Sequence, residues 1–419
     1  MERQVTSVLS ARDTAMLTSR SFLPAIVLAL FCSVANAQLR FHQVARLDDP
    51  NDPARRFRGG REVEFTADGE RLITAFYGCT LQLFDLKRNA YIGKPIRTSG
   101  DGEVGFVNNE VAYSADWDSV RLWDAKFGQQ IGEPIPHELR EDTTINPAID
   151  SQGKLIATRA TMKSVQLRNV ATRELIGAQL NFPAIVQSIR FSDDDRLLFV
   201  RAGGLLYAID VDTGKEVLEP LKSEWQFKHF PEQQILVTSE QVGDGLYQLV
   251  IRSTDQRGWP ETHHSDLPGK LKRLVALSDN HVLVQVSKQD YTPGLFTFDL
   301  AKPETRVEVK SNADRAFTVF VPQDKRHWIC SNIRNISCYR FGESEPVWQM
   351  LTPPSGYDQQ LYPLDDQHFI IRDKQENFGI YKIADGSEVW THAGVKRFSR
   401  AKDRIALCTS AGVEVWTME

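Results

Sequence analysis

Apolar runs of four to seven residues, broken by Gly, Asp, Asn or Pro, recur from end to end of this 419-residue chain. Residues 119–135, SVRLWDAKFGQQIGEPI, show the unit in small: alternating apolar positions, a Trp-Asp pair, a Gly-bearing turn and a second short strand. Runs of that length, rich in Val, Ile, Leu and Phe and closed by turn residues, predict β-strands. No stretch of the mature chain carries the 3.6-residue spacing of an amphipathic helix.

The unit repeats. Its clearest other copies are FTADGERLITAFYGCTLQLFDLKRNAYIGKPI from Phe65, IDSQGKLIATRATMKSVQLRNVATRELIGAQL from Ile149 and FSDDDRLLFVRAGGLLYAIDVDTGKEVLEPL from Phe191. Each reads strand, acidic or Gly turn, strand, turn, strand, turn, strand. Weaker copies follow around LVALSDNHVLVQV, TVFVPQDKRHWIC, LYPLDDQHFIIRD and RFSRAKDRIALCT. One anchor in each third strand gives Phe84, Trp123, Arg168, Ile209, Arg252, Phe298, Tyr339, Tyr381 and Trp416. Their mean spacing of about 41 residues is the period of a four-stranded propeller blade. One blade exposes apolar surface on both faces, so it is unstable until neighbours stack against it. Closing the stack leaves only short, protected sheet edges. The predicted fold is all-β, a single closed β-propeller of eight or nine four-stranded blades.

The unit VAYSADWDSVRLWD, residues 111–124, ends in a Trp-Asp dipeptide, and LQLFD, LYAID and LFTFD keep the Asp. These repeats resemble WD40 repeats of the exported bacterial kind over nearly all of the mature chain, with His137 in IPHE the nearest match to the family's Gly-His. The resemblance implies a buried Asp-His-Ser/Thr-Trp network. It also implies that the orphan strand LRFHQVARL, residues 39–47, completes the last repeat, which has only three strands of its own. A second resemblance is to quinoprotein-like propellers. AIDVDTGKEV from Ala208 and IADGSEVW from Ile383 are similar to their Asp-x-x-Thr-Gly-x-x-x-Trp docking turns. The cofactor-bearing members pair adjacent cysteines with a calcium site, and no Cys-Cys pair exists here. That resemblance therefore implies a cofactor-free envelope assembly scaffold.

The N-terminus changes the compartment. Arg20, the apolar run 22–34 and the small-x-small triplet Ala35-Asn36-Ala37 read as a signal peptide over residues 1–37, with cleavage before Gln38. The mature chain, 38–419, is one propeller domain, extracytoplasmic and either periplasmic or secreted. The apolar run falls short of the roughly 20 residues a membrane span needs, so no span is expected in the mature chain. A formal net charge of −5 argues against a nucleic-acid partner, which would call for a basic stripe.

Cys79, Cys330, Cys338 and Cys408 remain after cleavage, an even number in an exported chain, which points to disulfides. Cys330 and Cys338 flank the tight turn SNIRNIS; with Arg334 at its tip they lie opposite one another. Cys79 and Cys408 end second strands of the first and last repeats, where a staple would cross the seam of the ring.

Chemistry is harder to find. No Gly-x-Ser-x-Gly elbow, His-Glu-x-x-His pair, Cys-x-x-Cys pair, Walker loop or dinucleotide fingerprint is present, and no catalytic residue, cofactor or metal is predicted. His263-His264 near Asp266 reads as a solvated loop, and Asp193-Asp194-Asp195 as a polar hairpin turn. Binding is the more natural function for a ring whose turns gather around one mouth. Arg159, Arg201 and Arg372 end second strands, and Tyr77, Trp117 and Arg334 sit in the equivalent turns. Aromatic and Arg side chains are enriched at interface hot spots, so these six define the predicted face. The turns SEQVGDGLYQ and SKQDYTPGLF would make its rim irregular. The expected molecule is a monomeric binding module for another protein or a polymer. The alternative is a hydrolase or lyase with acids and His converging in the central channel.

Overall fold

The computed structural model describes residues 39–47, 60–76, 79–98, 103–116, 119–137, 146–222, 227–278, 280–288, 293–309, 318–322, 326–332, 335–351 and 359–419. Their regular structure is strand alone, arranged in nine antiparallel sheets. Blades 1 to 8 span residues 60–97, 103–136, 148–181, 186–222, 227–267, 269–308, 318–351 and 360–392, with strands paired in chain order. Blade 4 carries its outer strand as two short pieces, Lys215–Glu216 and Leu221–Lys222. Blade 9 takes Val395–Ala401, Arg404–Thr409 and Gly412–Met418, and its fourth strand is Phe41–Leu47 from the other end of the chain. All nine anchors lie on third strands.

The strands read as near-continuous apolar runs because both faces of each blade are covered. In blade 1, Leu72 packs toward blade 9 while its neighbour Ile73 packs toward blade 2. Nine apolar clusters result, each bridging one pair of adjacent blades. A row of nine blades open at its ends would have only eight such interfaces. The ninth joins Val63, Phe65 and Leu72 of blade 1 to Leu47, Ala406, Val413 and Val415 of blade 9, and it closes the ring.

That seam is packed tightly. A Cβ on Gly60 would lie 2.5 Å from Val413 Cγ2 and 2.9 Å from Cys408 Sγ, so only glycine lets the two blades approach this closely. Across the same seam Ser399 Oγ accepts from Phe65 N at 3.2 Å, Arg404 Nη1 donates to Gly69 O at 2.5 Å, and Arg397 Nε lies 3.4 Å from Glu62 Oε1. Turn-to-turn bonds lace other neighbours in the same way, as in Arg71 Nη1 to Asn109 O at 2.9 Å and Asn108 Nδ2 to Gly153 O at 3.0 Å.

Several expectations need correction. Cys79, Cys330, Cys338 and Cys408 are all free thiols. Cys330 pairs in register with Ser337, not Cys338, one residue from the expected pairing. A one-residue shift sends side chains to opposite faces, and Cys330 packs toward blade 6 while Cys338 packs toward blade 8. Cys408 points at Gly60 rather than bridging to Cys79. Burial raises the pKa of both Cys330 and Cys408, which suppresses the thiolate that disulfide chemistry needs. His263 and His264 lie on the outer strand of blade 5, Glu261–Leu267, not in a loop. Among the described residues no group of three or more His, Cys, Asp or Glu is placed to hold a metal. The Asp193–195 turn is structural: Asp195 Oδ1 accepts from Ser151 N at 2.9 Å, Asp194 Oδ1 from Ser192 Oγ at 2.5 Å, and Lys228 Nζ reaches Asp193 Oδ2 at 2.6 Å. The segment read as a signal peptide, residues 1–37 with Ala35 and Ala37, lies outside the described residues.

Candidate interaction face

Second strands pass into third strands at one end of the ring, and first strands begin there. Arg159, Arg201 and Arg372 occupy one equivalent place at that end, near the close of the second strand in blades 3, 4 and 8. They do not form a recognition surface. Arg159 is fully buried and Arg201 nearly so. Arg159 Nη1 reaches Val186 O at 3.4 Å and Arg372 Nη1 donates to Lys396 O, each carbonyl lying on the first strand of the next blade. Arg159 and Arg372 work as inter-blade clasps, because the long guanidinium arm spans the gap to the next blade's first strand. His137 is buried beside them, its Nδ1 accepting from Arg159 N at 3.1 Å. Tyr77, Trp117 and Arg334 lie outside the described residues.

Part of the expected Trp network is present in blade 2, where Trp123 Nε1 donates to Ser114 Oγ at 3.0 Å in a buried bond. The same blade also buries Asp116, whose Oδ2 accepts from Arg121 Nη1.

The rim is irregular where expected, for a different reason. In blade 5 the stretch read as a long turn is strand: Ile235–Gly243 and Leu246–Ser253 continue as a hairpin, with Gly243 paired to Leu246 around Asp244-Gly245. Asp-Gly is a strong two-residue hairpin signal, and Gly245 adopts φ 72°. The second strand runs nine residues here, against six in blade 1, so the hairpin overhangs the ring. Val242 and Leu246 stand at its tip, 54% and 56% exposed. Beside it blade 6 is also extended, with Gly269–Ser278 and His281–Lys288.

First strands of neighbouring blades lie against one another around the axis. On those of blades 1 and 2, Glu62 and Glu103 hold the same register, each paired with an alanine near the end of its second strand. Glu64, two residues on, shares the face of Glu62. Removal from bulk water by the surrounding walls, then repulsion from Glu62 and Glu103, pushes the Glu64 carboxyl up to about 7. Glu64 still meets solvent, so this is the effect of a confined wet channel rather than of a dry core. Glu103 is raised by desolvation, against an opposing hydrogen bond from Asn146. Tyr113 is raised as well, by burial and then by the three glutamates. This trio carries a pH dependence. Folded Glu64 keeps a proton that the unfolded chain has already released, so stability falls as pH climbs from about 4.5 to about 7 and levels above that. Glu64→Gln is expected to flatten the profile and to melt higher than the parent at pH 8, measured by circular dichroism across pH 5 to 8.

No family model matches the chain, and no curated protein matches it in sequence. Its likeness is to solved structures. One is the computationally designed Ika8 protein, at TM-score 0.53 and 11% identity over 90% of this chain and 99% of that one. A eukaryotic initiation factor aligns at TM-score 0.59 and 12% identity over 80% and 87%. BamB from Moraxella catarrhalis aligns at TM-score 0.53 and 12% identity over 77% and 98%. At these identities the likeness is one of fold, a β-propeller.

Proposed function

We propose that this chain is an exported, non-enzymatic β-propeller that docks another protein through the end of the ring bearing the blade 5 hairpin. The observation that carries the reading is the tip itself. Two aliphatic side chains stand in solvent on an overhanging hairpin of paired strands, while Arg159 and Arg372, at the same end of the ring in blades 3 and 8, are consumed in holding blades together. Exposed apolar groups on a preorganised element gain the most from being covered, since little ordering entropy is lost on docking. The propeller fold shared with BamB is compatible with a scaffold and names no partner. Photo-crosslinking from position 242 in the native extracytoplasmic fraction is expected to give a discrete adduct. The double substitution Val242→Glu/Leu246→Glu is expected to weaken capture of that adduct's protein at least tenfold, about 1.4 kcal/mol, without lowering the melting temperature. Undiminished capture by the double variant rejects this face.

A second reading draws on the glutamate trio. Neighbouring carboxylates around one axis, Glu64 among them pushed up to about 7, could serve as a general acid, as in a propeller hydrolase or lyase. Hydrolytic turnover that disappears in Glu64→Gln would replace the docking reading.

A further inference from the structure

We propose that the cleft between blades 7 and 8 is a binding site for an organic cation carrying an apolar body. The cleft measures about 620 Å³, inside the range of small-molecule sites. Its origin is a local failure of two blades to meet. Gly379, Tyr381 and Ile383 form the face of the third strand of blade 8 that turns toward blade 7, and Gly379 has no side chain to fill the gap. Its strand partner is Thr391, and Tyr381 is opposite Glu388. A Cβ on Gly379 would lie 2.6 Å from the Tyr381 ring, so the ring rests flat over the glycine as a floor. Met350 and Leu351, on the outer strand of blade 7, form the facing wall, and Leu351 is 79% exposed. Lower down the blades do meet: Trp348 Nε1 donates to Ile383 O at 2.8 Å, and a Cβ on Gly386 would touch Met350 Sδ at 3.1 Å. The opening is thus a defined slot above a closed contact.

Its polar groups point to a cation. Asp373 and Glu388 line the slot, and no Lys or Arg does among the described residues. Asp373 is occupied, its Oδ1 accepting Asn377 N and its Oδ2 accepting Asn377 Nδ2, both at 2.9 Å, so it supplies field rather than contact. Glu388 is exposed and opposite Tyr381, where a bound ammonium or guanidinium would meet a carboxylate on one side and an aromatic ring on the other. Burial, then Glu388 and Asp373, hold the Tyr381 hydroxyl up at about 12, so the ring stays neutral. Ile371, Met350 and Leu351 provide apolar surface for the rest of the ligand. Gln375, Asn377 and Thr391 add hydrogen-bonding groups at the slot's open end.

The cation could be a free amine or the Lys or Arg side chain of a peptide, and calorimetric titration separates the two. One arm uses 2-phenylethylammonium, with phenylacetate as the charge-reversed control; the other uses N-acetyl-Leu-Lys-Leu-amide, with Glu replacing Lys as control. Binding by either cation and by neither anion is expected. Glu388→Gln should weaken it roughly fivefold, as for one partly screened ion pair, and Gly379→Ala should weaken it further by lifting the Tyr381 ring into the slot. Melting temperature reports whether each variant folds; Glu388 is exposed, so its substitution leaves the fold intact. Equal binding of cation and anion, no binding of either cation, or equal affinity in parent and Glu388→Gln overturns the proposal. The blade 5 hairpin takes no part in this slot, so the outcome is independent of the docking reading.

Discussion

Leu47→Asp is expected to open the ring. Leu47 is fully buried, pairs with Val413 and packs among Val63, Phe65 and Leu72 of blade 1, so it sits where the last blade, the first blade and the N-terminal strand converge. Leu47→Ala should already cost about 3 kcal/mol through lost burial and the cavity it leaves. A carboxylate adds a desolvation cost of several kcal/mol. Faced with that, the chain can release Phe41–Leu47 and expose the edge of Gly412–Met418, leaving blade 9 with three strands. Thermal unfolding should lose cooperativity and begin far below the parent transition. Val44→Asp is the matched control. Val44 lies on the same strand at its bulge and is 47% exposed, so its substitution should change stability by less than about 0.5 kcal/mol.

The second large effect is expected at Arg159. If it were a recognition residue, Arg159→Ala would weaken partner binding and leave the fold alone. The structure reverses both halves. Its buried side chain fills the space between blades 3 and 4 and donates to Val186 O, so truncation leaves a cavity and removes that bond between blades. A loss of about 3 to 4 kcal/mol follows, measured by denaturant or thermal melts. Capture of the docked protein by the folded fraction should be unchanged. Lysine is a poor rescue, because a point charge on a narrower stem neither fills the space nor matches the fork of a guanidinium.

Most of the architecture was legible in the sequence for one physical reason. Every blade must bury both faces, so each third strand repeats an apolar signature at a fixed interval, and Phe84 to Trp416 mark nine blades even where the Trp-Asp dipeptide is lost. The orphan strand before the first repeat and the missing strand after the last were two halves of one blade. Exposure was much less legible. Arg159 and Arg372 look like surface groups by residue type, and only the next blade's carbonyl shows that they are spent internally. Register was lost at Cys330 and Cys338, where a pairing shifted by one residue reverses the face. The blade 5 overhang was read as a turn because polar residues and Gly dominate it, although the Asp-Gly pair at its tip was a usable hairpin signal. The glutamate trio left a trace in EVEF and EVGF, which open consecutive inner strands at the same register. The slot between blades 7 and 8 was marked by a lone glycine inside the run FGIYK.

Amide hydrogen exchange of the folded chain, followed by mass spectrometry, tests ring closure most directly. Protection across residues 41–47 should match that of Gly412–Met418 and be lost from both in one step as denaturant is added. Rapid exchange of residues 41–47 while Gly412–Met418 stays protected would mean that the N-terminal strand does not close the ring.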